Sequence, residues 1–546
     1  MEKNGLKQFL WIGKTELICC LILSFFRAGS VYFYNINDLP SGAGVAFMPV
    51  LHFILSMAVL YSVFIVGNHL LRMPCKKPAS KMSDIKLFVL SFLVLLVLWL
   101  PYLIISYPGA MSWDTWIMFD EFLSDSISNY QSVTYTYLFI WFFRLSVLLG
   151  NINLSLFFLS CSHYILYAVI FAYSFVVLRK LGVPSWFKVM TWLVYAFNPL
   201  ITGYIGVAIK DCVYSVLLFG SFLVMVEIYM AKTGKLPVRK YVALAAMIIV
   251  ACLVRKNGIY VYAGVILAMF LCSMSKKAQK NEIKAKTRVT VSAALVIYLL
   301  IYMSIQTVVR PVPDNTTEMY SLPFQQTARY VRDHGDELTP EQIEIIDNVL
   351  EYDTLAERYD PMISDPVKER SYGSFAVTGP YFKLWFEQFF KHPGTYFAAT
   401  GEQNYYLLSP EAEVTDITYF INAHEFYQHA TYYPINTYEN LFCPPDSVKG
   451  LQNALFRYNV TVQFLPFVNL LWNGSYAFYF LAIVTAYFIS RKKDVSILAV
   501  FWMTILFVVI GPAIYGHPRY LFPIIYSLPV LFAYLYYLCR EDEAAT

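Results

Sequence analysis

The chain carries acids and bases in places where a membrane protein has few. Asp114 lies in "YPGAMSWDTW", Lys210 and Asp211 in "GYIGVAIKDCVYS", Arg255, Lys256 and Asn257 in "LVRKNGIY", and His517 and Arg519 in "GHPRYLFPI". Each stretch adjoins an apolar run, and ionisable groups beside hydrocarbon are costly unless they are used. A carboxylate there is suited to accept a proton, and fixed cations are suited to hold a phosphate. Taken singly, each has an ordinary reading: an interfacial Arg or Lys as a headgroup anchor, Asp114 as a helix cap, His517 as a loop residue. Taken together they read as a site. The sequence has no Walker A motif, no G-x-S-x-G, no H-E-x-x-H and no C-x-x-C pair, so no nucleotide-binding fold is signalled. Any substrate must arrive already activated.

The elements that position these residues are membrane helices. Of 546 residues, 58% are hydrophobic, 18% aromatic and only 14% charged, which excludes an ordinary soluble globule. The net charge of +4 is small and its basic residues sit in short loops, so nucleic acid is not an expected partner. The nine cysteines are scattered, mostly in apolar segments, and imply neither a disulfide framework nor a thiolate metal site. No signal-peptide cleavage pattern follows the first apolar run, which is expected to stay as an anchor.

Hydropathy predicts an all-α polytopic protein of about twelve transmembrane helices. Spans are expected at about 15–33, 45–70, 86–106, 154–178, 189–206, 211–231, 241–255, 259–275, 289–309, 470–490, 495–512 and 518–538. The loops "RMPCKKPASKMSDIK", "RKLGVPSWFK", "AKTGKLPVRK", "KKAQKNEIKAKTR" and "RKKD" are basic, whereas 107–132 has no Lys or Arg. The positive-inside rule therefore puts the basic set and both termini in the cytoplasm. To keep that parity the apolar stretch 133–150 is placed on the outer surface, although it is long enough to be read as a span.

Four regions result: a two-helix segment 1–85, a transmembrane module 86–309 with its first outer loop at 107–153, an outer domain of mixed or helical structure at 310–465, and terminal helices at 466–546. Within the outer domain "LTPEQIEIIDNVL" predicts a helix capped by Thr339 and Gln342 with Pro340 at its first position, and "GPYFKLWFEQFF" predicts another that breaks at His392 and Pro393.

In this order "YPGAMSWDTW", "NPLITGYIGVAIKDCVYS", "LVRKNGIY", "KHPGTYFAATGEQNYYLLSP" and "GHPRYLFPIIYSLPV" resemble a bacterial family of polytopic membrane proteins assigned to the GT-C glycosyltransferase superfamily, over about 87–538. The resemblance implies a GT-C-like fold in the bacterial cell membrane. It also implies transfer of a sugar from a polyprenyl-phosphate donor to a glycan, glycolipid or protein acceptor of the cell envelope, on the outer face. Carried onto this chain, Asp114 is the catalytic base, and Arg255, Lys210, His517 and Arg519 hold the donor phosphate. Glu121, Asp120, Asp211, Asn257 and Glu402 are further candidates to line the site. No cofactor is assigned, and a divalent metal is left open. Asp114, half desolvated between Trp113 and Trp116, is expected to be a stronger base than in water. Two features depart from the superfamily pattern: that loop commonly follows the first helix, whereas here two further helices precede the one before it, and a single Asp replaces the acid pair. A polysaccharide polymerase and a lipid-linked glycan flippase or transporter are the alternatives.

Overall fold

The structure is a computed structural model that describes residues 12–35, 44–72, 82–231, 236–274, 282–313, 317–373, 376–412, 445–463, 473–511 and 514–545. Among these residues the regular elements are helices, and strand-like pairing is confined to isolated bridges. The protein is an all-α membrane protein. Seven of its described helices are long and apolar enough to cross a bilayer, and four shorter segments, 133–148, 258–273, 475–490 and 495–510, are apolar as well.

Short helical turns aside, the first six helices are α1 (Lys14–Asn35), α2 (Gly44–Arg72), α3 (Asp84–Ile105), α4 (Trp113–Leu123), α5 (Val133–Leu148) and α6 (Asn153–Lys180). They are followed by α7 (Ser185–Phe197), α8 (Lys210–Met230), α9 (Val238–Val254), α10 (Gly258–Ser273) and α11 (Glu282–Val309). The outer segment contributes α12 (Ser321–His334), α13 (Pro340–Leu350), α14 (Tyr352–Arg358), α15 (Gly379–Lys391), α16 (Pro393–Asn404) and α17 (Asp446–Gln463). The chain closes with α18 (Ser475–Ser490), α19 (Ala499–Ile510) and α20 (Phe522–Ala545).

At the centre stands α8. Its sequence is apolar on every side, and all its residues from Asp211 to Ile228 are buried, as expected of a helix that faces protein all round. It packs against α6, α9 and α20. Twenty-one residues rise about 31 Å, close to the ~30 Å hydrocarbon core. Its charged residues, Lys210, Asp211 and Glu227, are at or near its two ends. At the Met230 end, Glu227 is paired with Lys180 and Lys240 and accepts a hydrogen bond from Tyr173. Arg179 and Lys180 also pair with Asp84, and Lys284 with Asp494. These pairs join described residues of the basic stretches in two groups, one around Glu227 and Asp84 and one at Lys284 and Asp494.

The segment 189–206, expected as one span, is broken. The 13-residue α7 is about 20 Å long and stops at Asn198, whose backbone is extended because Pro199 disfavours the helical conformation before it. The Asn198 side chain instead caps the single turn Pro199–Thr202, and 203–209 runs on without helix. The α9 and α10 helices meet at Arg255–Asn257 as expected. The segment 133–150 forms the 16-residue α5, which runs antiparallel to the start of α6 so that Tyr135 meets His163 at 3.2 Å.

The segment expected as an outer domain is helical in its described part and has its own core of Phe324, Ala328, Val331, Ile346, Val349, Leu350, Leu355, Tyr381 and Leu384. Thr339 and Gln342 form the expected capping box, and α15 gives way to α16 at His392 and Pro393. A buried ion pair joins α12 to α16: Arg329 meets Glu402 at side-chain exposures of 8% and 5%, with Tyr359 over the guanidinium. Removing one partner of such a pair leaves the other charge buried. Glu402→Gln is expected to destabilise the protein by about 3 kcal/mol, whereas replacing both Arg329 and Glu402 with Met restores most of it. Thermal unfolding in detergent measures this, and equal melting of Glu402→Gln and the parent would refute it.

Candidate functional site

Asp114 and Lys210, 96 residues apart, are brought together by the loops that carry them. The Tyr107–Pro108 peptide is cis, and Gly109 follows at φ +141°, where a Cβ would stand 3.0 Å from Leu156 Cβ and from Ser160 Oγ. Only glycine suits both that conformation and that contact. The chain then runs beside the stretch preceding α8: Ala110 bridges Val207, and the Ala208 amide donates to the Ala110 carbonyl at 2.9 Å. Thr115 adds a hydroxyl bond to the Ala208 carbonyl at 2.5 Å, and Ser160 bonds the Gly206 carbonyl at 2.8 Å.

Ser112, not Asp114, caps α4, in a reciprocal box with Thr115. That leaves the Asp114 side chain available on the first turn. It accepts a hydrogen bond from Lys210 Nζ at 2.7 Å, and Gln131 accepts from the same ammonium. Asp211, at the next position of α8, pairs with Arg255 at 3.0 Å and approaches Arg519 Nε at 3.7 Å. Arg255 lies over the Tyr214 ring, 5.7 Å from its centroid, and Arg519 over Tyr520 at 5.3 Å. Among the described residues the cluster gathers three cations and two carboxylates. Their side chains are between 5% and 25% exposed, so the group is shielded but reachable.

Burial by itself would raise the Asp114 carboxyl. The Lys210 ammonium, the Arg519 guanidinium and hydrogen bonds from Lys210 and Gln131 outweigh that and hold it at about 2. This corrects the expectation of a base strengthened by its neighbours: the adjacent cation dominates desolvation, and the carboxylate at rest is a weak base. Of the two tryptophans, Trp116 is buried and turns an edge to Phe119.

The remaining sequence candidates separate. His517 is buried at the turn that carries Arg519, its ring 5.8 Å from Tyr520. Glu121 is tied to the loop after α4, accepting from the Ser128 amide at 3.0 Å and from the Ser128 hydroxyl; burial raises its carboxyl against those hydrogen bonds. Asp120 and Asn257 have exposed side chains. Glu402 belongs to the Arg329 pair of the outer domain and not to the charged cluster. Lys256 donates to the Asn129 carbonyl, which helps to fix the outer loop. Sequence reasoning missed Gln131, Tyr214 and Tyr520. Tyr214 stands three residues after Asp211, a spacing that places both on one helix face; nothing in the sequence distinguishes Gln131.

The chain belongs to a family whose description is "Family of unknown function (DUF6020)", matched over residues 126–546. Lys210, Asp211, Arg255, His517 and Arg519 fall inside that match, and Asp114 precedes it. No curated protein and no solved structure matches the sequence.

The charge balance around Asp114 has a measurable consequence. Its folded carboxyl lies below its ordinary value near 3.9, so the pairing stabilises the fold above about pH 4 and that contribution is lost as the pH falls towards 2. Lys210→Met is expected to move the protonation of Asp114 upward, into or above the ordinary carboxylate range. Infrared titration of the protonated carboxyl band, with Asp114→Asn as the subtraction, checks the shift; an unmoved band would mean that Lys210 does not set it.

Proposed function

We propose that this family member is a membrane glycosyltransferase of GT-C type, moving a sugar from a polyprenyl-phosphate donor to a cell-envelope glycan, glycolipid or protein acceptor. The observation that carries the reading is the cluster at the Lys210 end of α8, where Asp114 on one loop meets Lys210 of α8, and Asp211 beside it meets Arg255 of the α9–α10 junction and Arg519 of the turn before α20. Three cations gathered beside apolar helices suit a lipid phosphate. The ordered sequence resemblance to the superfamily supports the same chemistry.

In this reading Arg255, Arg519 and Lys210 receive the donor phosphate, with His517 behind Arg519. The acceptor hydroxyl attacks the anomeric carbon, the bond from that carbon to the phosphate oxygen breaks, and the polyprenyl phosphate leaves with the electron pair. Asp114 takes the hydroxyl proton, and the cations stabilise the charge developing on the departing phosphate. The resting pair of Asp114 with Lys210 gives donor binding a second role. A phosphate that draws the ammonium away removes a positive charge from Asp114 and brings a negative one near, and both changes raise its basicity. The base is thus armed by the substrate.

The accompanying topology has twelve crossings, the seven long helices plus α7 with its following turn, α9, α10, α18 and α19. Both termini are cytoplasmic, and 310–465 lies outside with the site. A transporter would favour ionisable pairs at mid-membrane; along α8 the ion pairs described stand at its ends.

Purified protein incubated with labelled polyprenyl-phosphate sugars and membrane extract tests the activity. Asp114→Asn is expected to lower turnover by roughly 10²- to 10⁴-fold with donor binding retained, and Arg255→Ala to weaken donor binding. Normal transfer by well-expressed Asp114→Asn would remove Asp114 as the base. For the topology, Lys383→Cys places a thiol where the parent side chain is 79% exposed; labelling by an impermeant maleimide in intact cells is expected above the parent level, and protection there would reverse the orientation.

A further inference from the structure

Away from the charged cluster, two histidines and a glutamate of the outer domain converge. His334 is the last residue of α12, Glu337 ends the turn Gly335–Glu337, and His392 stands between α15 and α16. The i, i+3 spacing of His334 and Glu337 brings them together around the end of one helix, and the packing of α12 on α16 delivers His392. His334 Nδ1 is 3.2 Å from Glu337 Oε1, and His392 Nε2 is 2.9 Å from Glu337 Oε2. One ligand atom from each residue lies within 4.8 Å of the others. Ligands about 2.1 Å from a tetrahedral ion stand ~3.4 Å apart, so the three atoms are already near the spacing of a coordination shell.

The two imidazoles are stacked face to face, centroids 3.7 Å apart and planes within 10°, and each turns a nitrogen to the same carboxylate. As neutral rings they donate one N–H to each oxygen, and a cation that takes the place of those protons meets two imidazole nitrogens and a carboxylate. The other nitrogen of His334 lies 2.9 Å from Thr395 Oγ1, the outer-shell hydrogen bond that in metal sites holds the proton on one nitrogen and turns the other to the ion. The three side chains are 23%, 35% and 28% exposed, so an ion can enter from solvent.

We propose that His334, Glu337 and His392 bind a divalent transition-metal ion of the zinc class, with water completing the coordination. The donor set of two imidazoles and one carboxylate suits that class. The ion ties the end of α12 to the start of α16, two helices that also meet through the Arg329–Glu402 pair, the Gln326 hydrogen bonds to Tyr396 and Thr400, and side-chain packing. Lys391, 2.6 Å from Glu337 Oε2, is the resident competitor, and Oε1 beside His334 is the oxygen that faces the ion. The site is independent of the transfer activity proposed above.

Full-length protein in detergent, stripped with chelator and then dialysed against Zn²⁺, tests the assignment by metal content and by titration calorimetry. The expected result is one ion per chain beyond that held by the variant with both His334→Ala and His392→Ala, and a higher melting temperature that chelator reverses. Thr395→Val, which keeps all three ligands, is expected to bind about 10- to 100-fold more weakly. Substitution with Co²⁺ is expected to give the visible absorption of a four-coordinate nitrogen and oxygen site in the parent protein, a readout that does not depend on how the double variant folds. Equal zinc content in parent and double variant, or a six-coordinate cobalt spectrum in the parent, would overturn the proposal.

Discussion

The burial of α8 is the constraint on which the rest of the structure depends. A helix enclosed by protein along its length can keep charge only at its ends, where partners and water or headgroups are within reach. Lys210 and Asp211 begin it and Glu227 lies near its close, and every one of the three is ion-paired to other elements. One end holds Glu227 with Lys180 and Lys240; the other holds the loop that carries Asp114. Seventeen residues of helix, about 26 Å, separate Lys210 from Glu227.

At the Lys210 end the acids are satisfied by close cations. Asp114 and Asp211 each have one, and Arg519 lies near both. The cost falls on the carboxylate: paired with Lys210 it has little affinity for a proton. In the function proposed above, the acid stays ionised and idle until an anion competes for the cations.

The outer domain follows soluble-protein rules, and its local signals were correspondingly clear. Thr339, Pro340 and Gln342 marked the start of α13 because a capping box is completed within four residues. The His392–Pro393 break was legible for the same reason, proline being unable to continue the helix it follows. Asn198–Pro199 is the same signal placed inside an apolar run, where hydropathy alone read through it and α7 in fact stops. Glu402 shows the opposite limit. Its neighbours in sequence suggested a site-lining acid, but its role is set by Arg329, 73 residues earlier, and no local pattern specifies that pairing.

By itself the sequence determined the solvent, the helical class and the ends of the capped helices, because hydropathy and capping act over a few residues or over whole segments. It also picked out Asp114, Lys210, Asp211, Arg255 and Arg519 as residues out of place beside apolar runs. Only the tertiary structure decided which of them touch. Asp114 meets Lys210 because a glycine turn and the Ala110–Val207 bridge hold two distant loops side by side, and that contact turns a carboxylate expected to be a strong base into a weak one. The reason is physical: desolvation is a property of a residue's surroundings in general, whereas a cation at 2.7 Å is a property of one particular neighbour, and the nearer charge prevails.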